Sequence, residues 1–107
     1  MKVDELEKII SNAFEDRQNI SLSSDKKILD AINLTIDLTD KGSLRVAEKK
    51  NDKWSVNQWV KKAILLSFRT SKMTMSKGPY TTWYDKVPGK SVNWNEADWE
   101  KAGYRHV

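Results

Sequence analysis

The sequence predicts an α+β fold, a small helical domain that carries a β-hairpin and a small sheet. Three observations predict it. Residues 3–17, VDELEKIISNAFEDR, set Val3, Leu6, Ile9, Ile10, Ala13 and Phe14 at three- and four-residue spacings, one apolar stripe on a helix. In LRVAEK, Leu44 and Val46 alternate with Arg45 and Ala47, as a half-buried strand requires, and KNDK turns the chain into a return strand, WSV. The helical period then resumes at once in QWVKKAILLSFR, so a hairpin feeds directly into a helix with no linker.

Taken in order, the first helix gives way to a polar linker, QNISLSS, at residues 18–24. Ser24 is the expected N-cap of a second helix, with Asp25 in its first turn favoured by the helix dipole. That helix should run to about Lys41 with Ile28, Ala31, Ile32 and Leu38 inward, and Gly42 stands where a C-terminal glycine stop belongs. Thr35 and Thr39 weaken its last turns. After the hairpin at 44–49/54–56, Asn57 is placed to cap a third helix over 57–68. Trp59, Val60, Ala63, Ile64 and Phe68 form its broad apolar face. Trp59, Ile64 and Phe68 are expected to lie buried between helix and sheet. Residues 70–79, with SKGP, read as a loop. YTTWYDKV reads as a strand that Pro88 and Gly89 break. NWNEADWEKAG reads as a short helix over 95–101, capped by Asn93 or Asn95 and stopped by Gly103. The final YRHV is expected to be extended.

A length of 107 residues suits one domain, taken here as 1–107. Apolar residues at 38% and charged residues at 32%, with five tryptophans, fit a globular chain rather than a disordered tail. The net charge of +4 is mild and interspersed, which argues against nucleic acid as a partner. With no cysteine there is neither a disulfide frame nor a thiolate metal site. MKVDELEKII has acids in its first turn and no long apolar run, so it reads as neither a signal peptide nor a membrane anchor. The expected location is the cytoplasm, and the sequons at Asn19 and Asn33 are chance matches.

Little in the side chains speaks of catalysis. His106 is the only histidine and is penultimate, which leaves no second imidazole for a metal and makes a poor triad member. VPGKS lacks the glycine five residues before Gly89 that a phosphate loop needs, since Tyr84 stands there. Lys61 and Lys62, with Lys49, Lys50 and Lys53 before them, suggest either an anion-binding surface or a solvated helix face, and the second reading is favoured. Trp54 and Trp59 are read as core residues in preference to a stacking platform. Arg105 lies beyond the last glycine stop, between Tyr104 and His106. A guanidinium there is either an ordinary surface group or a bidentate hold on a carboxylate. On residue chemistry alone the surface reading of Arg105 is favoured.

LRVAEK, the turn, W…QWVKKAILLSFR, YDKVP (Tyr84 to Pro88) and GYR (Gly103 to Arg105) occur in an order and at spacings that carry a family resemblance. The chain resembles the N-terminal region of bacterial 2,3,4,5-tetrahydropyridine-2,6-dicarboxylate N-succinyltransferases, the tetrahydrodipicolinate succinylases of lysine (diaminopimelate) biosynthesis. The resemblance is strongest over residues 42–107, and LEKIISNAFEDR also looks like the family's start. It implies a homotrimer, each subunit having a small α+β N-terminal domain, a left-handed parallel β-helix and a C-terminal cap. It implies transfer of succinyl from succinyl-CoA to the amine of the ring-opened dicarboxylate, with release of CoA. The arginine of the family's GYR segment falls on Arg105, where it would grip a substrate carboxylate.

The departures matter as well. No run of hexapeptide repeats occurs in this sequence, and the family's catalytic carboxylate and coenzyme-binding coils belong to its β-helix. Residues 1–107 are therefore expected to bind no cofactor and to catalyse nothing alone. Asn57 stands where relatives often show histidine, and GPYTTWYDK looks locally altered, so no role is carried onto Trp83. The alternative reading is a stand-alone binding or scaffold module with a basic helix and no catalysis.

Overall fold

The computed structural model describes all of residues 1–107 and has the α+β composition expected. Its elements in chain order are α1 (Val3–Glu15), a 3-10 turn (Arg17–Asn19), α2 (Lys26–Asp40), β1 (Ala47–Lys50), β2 (Lys53–Val56), α3 (Gln58–Arg69), β3 (Thr74–Lys77), β4 (Thr82–Asp85) and α4 (Glu96–Ala102).

The core is made by three helices, with no sheet layer over them. α1 contributes Leu6, Ile10 and Ala13, α2 contributes Ala31 and Ile32, and α3 contributes Trp59, Val60, Ala63 and Leu66. Each helix packs against the other two. Ile20 closes the cluster from the linker, and Leu44 and Val46 pack on it just before β1 begins. Thr35 is fully buried among these apolar groups. Its hydroxyl donates to the Ala31 carbonyl at 2.7 Å, which satisfies the group inside the core. Thr39 donates to Thr35 in the same way, so the two threonines settle into the last turns of α2 by bonding back along the helix.

The caps hold two corrections. The N-cap of α2 is Asp25, whose carboxylate accepts from the Lys27 amide at 3.1 Å. The Ser24 hydroxyl accepts instead from the Ser21 amide and closes the linker on itself. Asn57 occupies the N-cap position of α3 without capping it. Its side-chain amide donates to the Arg45 carbonyl at 2.7 Å, and its backbone amide donates to the Val46 carbonyl. Those two bonds fasten the base of the hairpin to the start of α3, which is why no linker is needed. At the other end of α2, Gly42 has φ +79°, with Ser43 N–H donating to Leu38 and Gly42 N–H donating to Thr39. This is the left-handed glycine stop with both of its bonds in place.

The first hairpin is shorter than its apolar alternation suggested. β1 and β2 pair antiparallel from Ala47↔Val56 to Lys50↔Lys53. Asn51 and Asp52 both have positive φ, the geometry of a two-residue type I′ turn that Asn and Asp tolerate. The ribbon projects from the core, with Trp54 73% exposed. Trp59 is buried in the cluster of the three helices rather than against a sheet, Ile64 is only half-buried and stands outside that cluster, and Phe68 is 41% exposed. The expected burial of Phe68 between helix and sheet is therefore incorrect.

Residues 70–79, read as a loop, contain β3, which pairs antiparallel with β4 from Thr74↔Asp85 to Lys77↔Thr82. TMSK shows no apolar alternation because every residue of this ribbon is exposed, so its strand state comes from backbone pairing alone. The small sheet is thus two separate two-stranded ribbons. α4 has a complete capping box between Asn95 and Asp98 and ends at Gly103 with φ +74°. No residue beyond Leu66 is fully buried. The radius of gyration is 16.3 Å, against about 13 Å for a compact chain of this length, and the extents are 42 × 40 × 21 Å. The excess belongs to the ribbons and the C-terminal segment that stand away from the helical core.

Candidate functional site

Arg105 lies three residues beyond α4 and is exposed. It enters none of the ion pairs, which are Lys26–Asp30, Lys50–Glu48 and Lys90–Asp40, and it makes no side-chain hydrogen bond to the protein. Its neighbours are held. The Tyr104 ring packs against Trp99 at 5.5 Å between centroids and against Trp94 at 5.7 Å. Trp94 and Trp99 meet edge to face at 5.0 Å, and the His106 ring lies 6.5 Å from Trp99. Residues 104 and 106 thus both turn to Trp99, the alternation of an extended segment, and Arg105 lies between them.

Two lysines tie the segment before α4 to the helices. Lys86 donates to the Phe68 carbonyl at 2.7 Å, at the open C-terminal end of α3. Lys90, the lysine of VPGKS, pairs with Asp40 of α2 at 2.6 Å. The hydrogen bond to Asp40 raises the Lys90 ammonium above its ordinary value, with the Asp40 charge adding to it. Both partners of that pair are more than half exposed, so it fixes position more than it adds stability.

Two of the five lysines of the basic neighbourhood, Lys50 and Lys62, are engaged within the fold. Lys62 stands over the Phe14 ring at 5.3 Å from its centroid, with Arg17 on the same ring at 4.6 Å. Lys50 pairs with Glu48 at 2.8 Å, and that hydrogen bond holds the Glu48 carboxyl below the usual carboxylate range. Trp59 is core as expected, but Trp54 is not. No group of three or more His, Cys, Asp or Glu side chains is placed to hold a metal. A shallow depression between α1 and the start of α2, lined by Ile9, Ala13, Ile20 and Ile28 among others, is not bordered by Arg105.

The family model described as "Tetrahydrodipicolinate N-succinyltransferase N-terminal" matches residues 5–70. The chain belongs to the tetrahydrodipicolinate N-succinyltransferase family. It is 58% identical over 106 residues to a 2,3,4,5-tetrahydropyridine-2,6-dicarboxylate N-succinyltransferase of Pelagibacter ubique, covering 96% of this chain and 38% of that protein. It is 50% identical over 105 residues to a protein of the same name from Mesorhizobium japonicum, covering 95% of this chain and 37% of the relative. A third, from Bartonella henselae, is 46% identical over 106 residues. The chain therefore spans under two-fifths of the length of these succinyltransferases. The family match takes in α1, α2, the first hairpin and α3, which is the whole of the buried core. Arg105 and its aromatic neighbours lie outside that span.

The sequence reading did not single out Trp94, Trp99 and Tyr104 as a unit. Their spacing of five residues fits neither a helical nor a strand face. The available signal was a short, well-capped helix with an aromatic before it, within it and after it.

Proposed function

We propose that residues 1–107 form the N-terminal domain of a cytoplasmic, homotrimeric N-succinyltransferase. The enzyme moves succinyl from succinyl-CoA to tetrahydrodipicolinate in lysine (diaminopimelate) biosynthesis. The observation that carries this reading is the 58% identity, along 96% of the chain, to a relative with that activity in its name. In this reading water adds to the cyclic imine and opens it to an amine and a ketone, the amine attacks the thioester carbonyl and gives up a proton, and CoA leaves as the thiol. The succinyl-CoA site and the groups that move protons belong to the remaining length of the protein.

The contribution of this chain to substrate is Arg105, which holds a carboxylate of the dicarboxylate. Support comes from an exposed guanidinium with no partner of its own, on a backbone held by its neighbours at both sides. A planar fork of donors matches a carboxylate through two parallel hydrogen bonds, whereas a lysine offers a point charge. The alternative, a basic binding module, is weakened by the engagement of Lys62 with Phe14 and of Lys50 with Glu48. In the full-length protein, Arg105→Lys is expected to raise the KM for tetrahydrodipicolinate and leave that for succinyl-CoA unchanged, as loss of uniform binding requires. Steady-state kinetics with each substrate varied checks it, and an unchanged dicarboxylate KM in a well-folded variant removes Arg105 from the site.

A further inference from the structure

α4 has seven residues, well short of what holds an isolated helix in water, and it packs extensively against no other element. What closes it is aromatic. Trp94 precedes its N-cap, Trp99 lies in its middle, and Tyr104 follows Gly103. The three rings contact one another at 5.0, 5.7 and 5.5 Å. Trp94–Trp99 and Trp99–Tyr104 meet edge to face and Trp94–Tyr104 is tilted, and edge-to-face pairs stabilise beyond the burial of their area. The capping box at Asn95 and the left-handed turn at Gly103 bring the two ends of the segment back onto the same ring. Residues 94–106 are thus a small unit closed on itself, outside a helical core that buries nothing beyond Leu66.

We propose that this aromatic cluster is a clamp that presets Arg105, with Trp99 as its central positioning residue. The proposal rests on the reading of Arg105 as a carboxylate contact. Trp99 receives Tyr104 on one side of Arg105 and His106 on the other. The backbone at 105 is therefore fixed before any anion arrives, while the guanidinium is left without an internal partner. Ordering a flexible tail at the moment of binding weakens affinity, and a preset tail avoids that cost. Bidentate recognition is also intolerant of displacement, because both N–H groups must face the carboxylate together. Trp99 itself need not touch substrate. Its effect passes through the position of Arg105.

The test uses the full-length protein with Trp99→Ala, Trp99→Phe and Arg105→Lys side by side. Trp99→Ala is expected to raise the KM for tetrahydrodipicolinate about tenfold. The KM for succinyl-CoA and the melting temperature should not change, and Trp99→Phe should recover most of the loss. If Trp99→Ala lowers the melting temperature, Tyr104→Leu makes the same test from the exposed side of the cluster, where Tyr104 is 47% exposed. An unchanged dicarboxylate KM in Trp99→Ala, beside a raised one in Arg105→Lys, overturns the clamp and leaves the Arg105 contact standing. An unchanged KM in Arg105→Lys overturns the contact and the positioning role with it. A joint rise of both KM values with a lowered melting temperature, in both Trp99→Ala and Tyr104→Leu, shows a purely structural cluster and also overturns the proposal.

Discussion

Leu66→Ala should cost about 2–5 kcal/mol of folding stability, and Phe68→Ala should cost less, about 1–2 kcal/mol. Leu66 is 1% exposed and lies in the cluster that joins α1, α2 and α3. Removing its side chain leaves a cavity that three mutually packed helices cannot collapse around without shifting one another. Phe68 is 41% exposed and stands outside that cluster. Its truncation gives up partial burial and opens no enclosed space. Denaturant melts of the two variants check the order, and a larger loss for Phe68→Ala would place the core on the other face of α3.

Arg105→Ala in the full-length protein should lower kcat/KM for tetrahydrodipicolinate by on the order of 2–4 kcal/mol, about 30- to 900-fold. The magnitude follows from truncating one partner of a desolvated charge pair, which leaves the substrate carboxylate unpaired. Stability should be little changed, because the guanidinium has no ion pair or hydrogen bond within the chain to lose. A guanidinium that only tied the segment down would act on both substrates together as the fold loosened. Kinetics with each substrate varied, beside a thermal melt, separates these outcomes. A loss shared equally by succinyl-CoA would contradict the carboxylate role.

The helices were legible because burial imposes a period. Leu6, Ile10 and Ala13 on α1 and Ala31 and Ile32 on α2 follow it, and the stops at Gly42 and Gly103 are positive-φ positions that the sequence marks with glycine. Phe68 misled because ILLSF is almost continuously apolar. At about 100° per residue, Phe68 lies roughly opposite Trp59, while Leu66 falls within about 20° of it. The period itself points to Leu66. Ser24 lost the capping position to Asp25 because several cap-forming side chains stand in a row, and the serines satisfy one another. β3 left no trace in TMSK because an exposed ribbon needs no apolar face. Arg105 shows the limit of residue chemistry. A lone arginine on a polar segment reads as surface, and only the family resemblance gave it a substrate. The aromatic cluster left no periodic mark in the sequence, since its rings meet around a helix end rather than along a face.

In the proposed function this chain is the N-terminal part of a succinyltransferase and acts only when joined to the rest of one. The most direct measurement compares succinyl transfer by the isolated 107-residue chain with transfer by a graft. In the graft, this chain replaces the matching N-terminal region of the Pelagibacter ubique relative, to which it is 58% identical. The isolated chain is expected to show neither turnover nor binding of succinyl-CoA, and the graft is expected to form N-succinylated product from tetrahydrodipicolinate. Turnover by the isolated chain, free of host enzyme, or a folded graft without activity would contradict the account.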